Sequence, residues 1–598
     1  MSARVPLRPL ARILEARRKG ENPDRIEREN LRRRHEEMRD RARLRSEGRL
    51  LVLAGLFLCA FIVVGFRMGE LAASEPQEPA SSGQRVAITQ ARADIVDRNG
   101  RILATNLLTR ALYAQPPMMV DKAQAARELA RIFPDLDEQK LLAQFTGTRK
   151  FIWIKRKISP EQQQEVHDIG EPGLLFGPRE MRLYPNGALA AHVLGGAGFG
   201  REGVNAAEVI GVAGVEKFFD ARLRDPANSA NPLVLSLDLT VQAAIEEVLD
   251  GGMKIMGAKG AAAVLMDVYT GEVISLVSLP DFDPNNRPRP LAQGDAADSP
   301  LFNRAVQGLY ELGSVFKIFT AAQALELGLV NPATMIDTKG PIKMGGFTIR
   351  DYKDYGAELS LADVIVHSSN IGTARTALQI GAERQRAFLD ALGLLDATGL
   401  EMIEAKGARP LRPPERNWKD LATMTISYGH GVSVSPLHLA AAYSTIVNGG
   451  TRVTPTLLRQ ESVAPGPRVV SPGVSAIARD LLRQVVVRGT ASFGEVAGYE
   501  VGGKTGSADK PGAGGRAGYD GEALLSTFAS VFPANDPAYV LIVMLDEPEI
   551  FAAGEMRRTA GWTAVPVAAE IIRRAAPLLG LKPAIANQGQ AGVTLARQ

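Results

Sequence analysis

The feature that most constrains the fold is a run of apolar helix formers that follows a Gly-Ser pair. Residues 308–328 read GLYELGSVFKIFTAAQALELG, and beyond Gly313 they leave almost no polar face. Such a pattern predicts a helix that is buried on all sides. Gly328 is well placed to end it, because glycine commonly follows the last helical residue. The stretch therefore predicts a helix inside a domain rather than on its surface.

Two polar residues begin this apolar helix. Ser314 and Lys317 lie in its first turn, and residues three apart on a helix share a face. Burying a lone ammonium is costly, so a functional reason for Lys317 is stronger than a packing reason. Burial and the positive helix N-terminus both favour the neutral amine. A neutral Lys317 can take the proton of Ser314, which predicts an activated serine nucleophile.

Ser-x-x-Lys alone is a weak pattern, and it recurs at residues 507–510 in front of a Gly-rich loop. Two downstream motifs strengthen the first copy. Residues 368–370 read Ser-Ser-Asn, and residues 504–507 read Lys-Thr-Gly-Ser. The order Ser-x-x-Lys, Ser-x-Asn, Lys-Thr-Gly, with long folded intervals between the motifs, indicates serine acyl transfer.

In this order the motifs resemble the penicillin-recognising acyl-serine transferases, and among them the class B penicillin-binding proteins. The resemblance covers roughly residues 85–580. Residues 92–104, 182–185 and 214–217 resemble three motifs of the non-catalytic domain of that family, with Ala93 where the family usually has Gly. From their residue types alone, the charged side chains of these motifs predict only structural ion pairs.

The pattern within class B is similar to the division-specific, penicillin-binding protein 3 type. Residues 368–372 read SSNIG, and residues 427–440 read SYGHGVSVSPLHLA. The alternative within the class is the elongation type.

Composition excludes several other functions. The 598 residues carry a formal net charge of +4, and residues 1–49 hold 16 Lys/Arg against 9 Asp/Glu. This basic arm has no aromatic residue on which a base can stack, so we expect no nucleic-acid partner. Cys59 is the single cysteine, which excludes an intramolecular disulfide and a cysteine-based zinc site. The six histidines are scattered, and we expect no metal or other cofactor.

Residues 50–66 form an uninterrupted apolar run between Arg49 and Arg67. In a helix this run spans roughly 26 Å, the short end for crossing a bilayer. A buried core helix and a cleaved signal peptide are the alternatives, but a long charged region before the run is unlike an ordinary signal. The excess of Arg before the run predicts a cytoplasmic N-terminus and an external remainder.

We therefore expect a chain of several segments. They are a basic cytoplasmic arm (1–49), a transmembrane anchor (50–67), a linker (68–88), a non-catalytic pedestal of the dimerisation type (89–230), a transpeptidase domain (231–580) and a disordered tail (581–598).

Strand patterns predict the architecture of the last folded segment. Residues 261–268 and 273–279 read as a hairpin, and 501–506, 525–532 and 539–545 as three more strands. Strands from both ends of a domain with a helical middle predict a five-stranded antiparallel sheet flanked by helices. The expected fold class is α/β and multidomain, with one N-terminal transmembrane helix, an elongated α+β pedestal and a penicillin-binding/β-lactamase-like transpeptidase domain. Further expected elements are a strand at 233–237 and helices at 239–249 and 566–578.

The residue types suggest catalytic roles for the first two motifs. Lys317 is the nearest base for Ser314. Ser368 both donates and accepts hydrogen bonds, so it can relay a proton between Lys317 and a leaving amine. Asn370 either fixes Lys317 or holds a substrate amide.

The third motif suggests substrate binding. Lys504 and Thr505 bring positive charge and a hydroxyl to the mouth of the site, which suits a substrate carboxylate. Gly506 lets a substrate peptide approach the strand and add to it. The resemblance implies an oxyanion hole made by the backbone N–H groups of Ser314 and Ser507. The family usually has Thr at the position of Ser507.

The resemblance implies a peptidoglycan D,D-transpeptidase that crosslinks stem peptides ending in D-Ala-D-Ala and that binds β-lactams covalently. It further implies location in the inner membrane bilayer with a periplasmic catalytic domain. The implied partners are a SEDS-type glycan polymerase and other membrane proteins of the division machinery. A β-lactamase is an alternative, although class A enzymes carry Ser-Asp-Asn where this chain has Ser369. A penicillin-binding sensor or scaffold is another.

Overall fold

The computed structural model of the protein describes residues 10–73, 92–202, 207–511 and 519–584. The chain divides into two compact units, Met1–Ser82 and Gly83–Gln598. The larger unit contains both the pedestal and the catalytic domain.

The first unit consists of two helices, α1 (Leu10–Arg18) and the long α2 (Pro23–Ala73). Pro23 occupies the first helical position, where its missing N–H costs nothing, and the side chain of Asn22 accepts a hydrogen bond from the N–H of Asp24. Within α2, Leu50–Met68 is the one segment of the described chain long and apolar enough to cross a membrane. The apolar run predicted as an anchor is thus helical and exposed.

The helix α2 extends beyond the run in both directions. The charged residues from Pro23 onward, expected only to form an arm, belong to the same helix. Residues 68–73, expected in the linker, are helical as well. The rest of the expected linker, 74–88, lies outside the described residues.

The pedestal combines a sheet with short helices. Its elements in chain order are β1 (Ile95–Val96), β2 (Ile102–Ala114), α3 (Lys122–Ile132), α4 (Glu138–Thr146), β3 (Ile152–Ile158), α5 (Pro160–Asp168), β4 (Leu174–Leu183), α6 (Ala191–Leu194), β5 (Gly196–Glu202), β6 (Ala207–Ala213), α7 (Gly214–Phe218) and α8 (Asp220–Arg224). The long strand β2 pairs antiparallel with β1, β3 and β4. The motif at 92–104 forms β1, a turn at Gly100 and the start of β2.

A buried carboxylate joins the charged motifs of the pedestal. Glu216 is fully buried and lies 2.6 Å from an Nη of Arg92 and 2.6 Å from Nε of Arg182. The hydroxyl of Tyr184 donates a third contact to it at 3.2 Å. The structural ion pairs expected from these motifs are therefore present, because a buried charge is tolerated only when it is paired and hydrogen-bonded.

The catalytic domain contains the remaining elements. They are β7 (Leu233–Val234), α9 (Leu239–Ile255), β8 (Gly260–Asp267), β9 (Val273–Leu279), α10 (Lys317–Glu326), β10 (Met335–Asp337), β11 (Ile342–Met344), β12 (Phe347–Ile349), β13 (Glu358–Ser360), α11 (Leu361–Val366), α12 (Asn370–Ile380), α13 (Ala382–Ala391), α14 (Ile403–Gly407), α15 (Asp420–Ser427), α16 (Pro436–Val447), α17 (Pro472–Arg488), β14 (Gly502–Pro511), β15 (Tyr519–Phe532), β16 (Tyr539–Asp546), β17 (Ile550–Ala552), β18 (Glu555–Arg557) and α18 (Ala564–Leu578).

The predicted five-stranded sheet is confirmed. Its order is β14-β15-β16-β8-β9, and every neighbouring pair is antiparallel. Helices α9 and α18 pack on each other and on the sheet, whereas α16 and α17 pack on its other side. All residues of β9 and nearly all of β8 and β16 are buried, which agrees with a sheet covered on both faces. Strand β14 is an edge strand.

Two predicted elements differ in extent or partner. The strand expected at 501–506 continues to Pro511, because its pairing with β15 persists beyond Gly506. The strand expected at 233–237 is reduced to β7, which pairs in parallel with β1 and so joins the pedestal sheet. The expected disordered tail lies largely outside the described residues, except that the N–H of Ala584 donates to the carbonyl of Gly498 at 2.7 Å.

Candidate active site

The predicted serine begins a tight turn at the start of the buried helix. Residues Gly313–Phe316 form a 3-10 turn, and α10 starts at Lys317. The expected single helix is thus tighter in its first turn, where Gly313 has a positive φ of 63°. The side chains from Lys317 to Leu325 are all buried, which confirms a helix covered on every side.

The Gly313 turn is held by close backbone contacts. The N–H of Gly313 donates to the carbonyl of Gly429 at 3.2 Å. A Cβ added at Gly429 would lie 2.0 Å from the carbonyl oxygen of Gly313, so only glycine fits there. The hydroxyl of Tyr443 donates to the carbonyl of Val315 at 2.7 Å. Ser314 itself stays partly exposed.

The amine of Lys317 meets the second motif. Its Nζ lies 3.0 Å from Ser368 Oγ and 2.7 Å from Asn370 Oδ1, and it also contacts the carbonyl oxygen of Ser368. Lys317 is 0% exposed. Three acceptors therefore surround one buried amine, which matches the three N–H bonds of an ammonium.

A second buried amine lies on the other side of Ser368. Lys504 Nζ donates to Ser368 Oγ at 2.9 Å and to the carbonyl of Thr505 at 3.1 Å. Lys504 is also 0% exposed, although the sequence predicted a cationic group at the mouth of the site. The Lys504 amine is thus covered and lies against Ser368, and its predicted role in binding a substrate carboxylate stays a prediction.

Burial sets the protonation of both amines. It lowers the pKa of Lys317 well below its usual value, and the charge of Lys504 acts in the same direction. Burial lowers the pKa of Lys504 to about 7. Burial thus favours the neutral form of both amines, and both contact the hydroxyl of Ser368.

The third motif packs directly against the serine turn. A Cβ added at Gly506 would lie 2.2 Å from the carbonyl oxygen of Leu312, and one at Gly313 would lie 3.0 Å from the carbonyl oxygen of Ser507. Strand β14 thus approaches Ser314 as closely as backbone atoms allow, with its free edge available to an added strand.

The side chains of Thr505 and Ser507 have partners inside the protein. Thr505 Oγ1 lies 2.7 Å from Thr490 Oγ1, and Ser507 Oγ accepts a hydrogen bond from the N–H of Ala560 at 3.0 Å. The binding roles predicted for Thr505, Gly506 and Ser507 stay predictions, with Gly506 and the backbone of Ser507 nearest to the turn.

Asp351 is a functional residue that the sequence did not reveal. Its carboxylate accepts hydrogen bonds from the hydroxyl of Ser369 at 2.7 Å and from the N–H groups of Asn370 and Ile371. It therefore caps α12 and fixes the residue whose side chain contacts Lys317. Nothing in the local pattern around Asp351 indicates this, because the contact joins segments 18 to 20 residues apart.

Ser368 is held in an unusual backbone conformation. Its φ is 62°, a left-handed value that non-glycine residues seldom adopt. Such residues persist where the surroundings determine them, and they concentrate at functional sites. The conformation directs both the hydroxyl and the carbonyl of Ser368 to Lys317.

A metal-dependent site has no support in the described residues. Within them, no group of three or more His, Cys, Asp or Glu side chains is arranged to hold a metal ion. The chemistry that the arrangement can perform is proton transfer and nucleophilic attack by a serine.

Comparisons with known proteins match two parts of the chain. Residues 261–573 match the family model of the penicillin-binding protein transpeptidase domain, and residues 87–231 match that of the penicillin-binding protein dimerisation domain. The chain is 35% identical to the probable peptidoglycan D,D-transpeptidase FtsI of Caulobacter vibrioides, with 91% of each chain covered. It is 27% identical to the peptidoglycan D,D-transpeptidase FtsI of Escherichia coli K12, over 84% of this chain and 87% of that one.

A solved structure is similar over most of its length. Penicillin-binding protein 3 from Mycobacterium tuberculosis, complexed with aztreonam, aligns with a TM-score of 0.62 and 27% identity. The alignment covers 83% of this chain and 97% of that chain.

The buried amine of Lys504 predicts a stability cost that depends on pH. In the unfolded chain this Lys keeps its proton up to about 10.5, whereas in the folded chain it loses the proton at about 7. Folding therefore releases a proton between these values, and the stability of the fold rises with pH through that window. We expect Lys504→Met to stabilise the fold at pH 7 by up to about 4 kcal/mol, and the gain should shrink as the pH approaches 10.5.

The measurement is the melting temperature of both proteins in detergent at pH 6.5, 8 and 9.5. Lys510→Met serves as the control, because the hydrogen bonds of Asp546 and Glu547 outweigh burial and raise the pKa of Lys510. That variant should not gain stability at pH 7. A Lys504→Met protein that melts below the wild type at pH 6.5 would contradict the assignment.

Proposed function

The chain belongs to the penicillin-binding proteins, in their class B, division-type branch, and we propose that it is a septal peptidoglycan D,D-transpeptidase acting through an acyl-enzyme on Ser314. The observation that carries the proposal is the set of three acceptors around the Lys317 amine, two of them from Ser368 and one from Asn370.

Acylation begins with the neutral amine of Lys317. It takes the proton of Ser314, and the Ser314 oxygen attacks the carbonyl between the two terminal D-alanines of a stem peptide. The ammonium that forms is stabilised by acceptors already around it, namely the Oγ and carbonyl oxygen of Ser368 and Asn370 Oδ1. Because no acceptor has to move, the charge forms at little reorganisation cost.

The proton then reaches the leaving group through Ser368. The hydroxyl of Ser368 can accept a proton from Lys317 while it donates its own to the nitrogen of the departing D-alanine. Lys504, which donates to the same hydroxyl, keeps Ser368 oriented. In the second half of the reaction an amine of a neighbouring stem peptide attacks the ester. Its proton returns to the Ser314 oxygen through Lys317, and a new amide bond remains.

The substrate peptide is proposed to align on the free edge of β14. Gly506 and the backbone of Ser507 lie beside the Ser314 turn, so an added strand would bring its carbonyl to the serine. The backbone N–H groups of Ser314 and Ser507 are proposed as the oxyanion hole. Asp351 acts as a positioning residue through Asn370.

The first test concerns the nucleophile. Ser314→Ala should abolish covalent labelling by a fluorescent penicillin, because no other hydroxyl begins the buried turn beside Lys317 in the described chain. Gel fluorescence of the membrane fraction measures this, and thermal melting shows whether the variant is folded. Persistent labelling of a folded variant would mean that another residue is the nucleophile. Rapid loss of label from the wild type would instead indicate a β-lactamase.

The second test concerns the base. Lys317→Arg should be almost as damaging as Lys317→Ala, because a guanidinium stays protonated and cannot accept the serine proton. We expect the acylation rate to fall by about 10²- to 10⁴-fold. Glu358→Gln, an exposed substitution on β13, is the control. If the Arg variant acylates at a rate near that of the wild type, Lys317 contributes charge or packing only.

We further propose that the anchor helix and the pedestal bind a polytopic glycan polymerase of the SEDS type, with the N-terminus cytoplasmic and the catalytic domain periplasmic. Within the apolar run, the Gly and Ala residues are Ala54, Gly55, Ala60 and Gly65, and no two of them have the spacing of four of a Gly-x-x-x-Gly dimer face. Homodimerisation through this helix is therefore not strongly encoded, which leaves its exposed apolar surface for another membrane protein.

The third test separates anchoring from partner binding. Residues 85–580, exported as a soluble protein, should still be acylated by penicillin yet fail to support septation in a depleted strain. Replacing 50–66 by an unrelated anchor should restore membrane location without full division. Normal division by the replaced chain would mean that the helix is only a tether.

A further inference from the structure

Glu311 lies three residues before Ser314, and none of the roles assigned above uses it. Its carboxylate accepts hydrogen bonds from two segments that are distant in sequence. Oε1 accepts from the N–H of Gly431 at 2.7 Å, and Oε2 accepts from the hydroxyl of Tyr519 at 2.9 Å. One side chain therefore connects the segment of the nucleophile both to the 428–431 loop and to the start of β15.

The 428–431 loop also contacts the serine turn (Gly313–Phe316) directly. The carbonyl of Gly429 accepts from the N–H of Gly313 at 3.2 Å, and the approach of the two backbones leaves no room for a side chain at Gly429. Glu311 binds the same loop two residues further on, at Gly431. The turn and the loop are thus joined at two points, once through backbone atoms and once through a carboxylate.

Tyr519 brings the β14–β15 hairpin into the same junction. It lies on β15 and pairs with Pro511 of β14, so its backbone is joined to the strand whose edge approaches Ser314. The ring of His430 packs edge-on against the ring of Tyr519, with centroids 5.6 Å apart and an interplanar angle of 78°. Burial and the charge of Glu311 raise the pKa of the Tyr519 hydroxyl, so this group stays protonated and able to donate near neutral pH.

These contacts fix the hairpin to the serine turn at a second place. Strand β14 already contacts the turn at Gly506 and Ser507. Glu311 and Tyr519 join the far end of the same hairpin to the residues just before the turn. A pivot of the hairpin about its contact at Gly506 would therefore break the hydrogen bond between Glu311 and Tyr519. Small changes in the placement of reacting groups have large effects on rate.

We propose that Glu311 is a positioning residue for the acylation step, which holds the serine turn, the 428–431 loop and the β14–β15 hairpin in one arrangement through Gly431 and Tyr519. The inference rests on the proposed function, because it concerns the attack of Ser314 on the substrate carbonyl. Hydrogen bonds to a carboxylate are stronger than those between neutral groups. Their loss leaves the backbone contacts of the turn in place, so the protein still folds, but the hairpin can then move relative to the nucleophile.

The test is the rate of acylation by a fluorescent penicillin, measured with the full-length protein in detergent over a range of penicillin concentrations. Glu311→Ala should lower the rate at saturating penicillin by about 10- to 100-fold. The concentration that gives half of that rate should not change, because a contact that only positions the nucleophile does not alter ground-state binding. Thermal melting shows that the variant is folded.

A conservative variant and a second partner sharpen the test. Glu311→Gln should recover most of the rate, because its carbonyl oxygen can accept from Gly431 while its amide N–H donates to the Tyr519 oxygen. Tyr519→Phe should lower the saturating rate by about 3- to 10-fold. Added to Glu311→Ala, it should lower the rate no further, because both changes remove the same contact. Glu358→Ala and Tyr352→Phe, at exposed side chains, are the matched controls and should acylate at the wild-type rate.

The outcomes separate this proposal from the proposed function. If penicillin labels the wild type and Glu311→Ala acylates as fast or faster, the positioning role is overturned and the transpeptidase proposal stands. The same follows if the effects of Glu311→Ala and Tyr519→Phe multiply in the double variant, or if a folded Glu311→Gln protein is as slow as Glu311→Ala. If Glu311→Ala does not fold, a wild-type rate for Tyr519→Phe overturns the role. Failure of the wild type to be labelled would overturn the proposed function itself.

Discussion

The arrangement of the catalytic domain depends on keeping two lysine amines out of water around one hydroxyl. Lys317 and Lys504 are both fully buried, and both contact Ser368. Two ammonium groups that contact the same hydroxyl would repel each other, and each would also lose its hydration. The fold accommodates them because burial holds their pKa values down, so that at least one amine is neutral when the site is at rest. The burial that lowers the stability of the fold therefore also provides a neutral amine that can act as a base.

Close backbone packing is what brings the two amines together. Lys317 comes from the helix after the serine turn, and Lys504 comes from the edge strand β14. The strand can reach the turn only because Gly506 has no side chain, since a Cβ there would lie 2.2 Å from the carbonyl oxygen of Leu312. The positive φ of Ser368 then directs its polar groups into the space between the amines. The chemistry thus depends on backbone geometry at least as much as on the catalytic side chains.

The sequence predicted the features that local pattern encodes. The apolar strands at both ends of the domain, with a helical middle between them, predict the five-stranded antiparallel sheet, and the helix after Ser314 is buried as its composition requires. The contacts of Asp351 could not be predicted, because they join residues 18 to 20 positions apart, with β13 and α11 between them. The burial of Lys504 was missed for a similar reason, since a short motif does not specify which face of its strand is covered. The sequence analysis also did not predict the helix in the charged arm, because the mixed acidic and basic residues of the arm show no amphipathic pattern.

The unbroken helix α2 joins the candidate membrane-spanning segment rigidly to the charged residues before it. Its residues before Leu50 extend about 40 Å at 1.5 Å per residue. No proline or loop interrupts the described helix between Pro23 and Ala73, so there is no joint at which the two parts can move separately. A tilt of the spanning segment by 10° would swing the far end of the arm by about 7 Å, and a rotation about the helix axis would turn both parts together. A contact that fixes the direction of the arm therefore also fixes the direction of the candidate spanning segment.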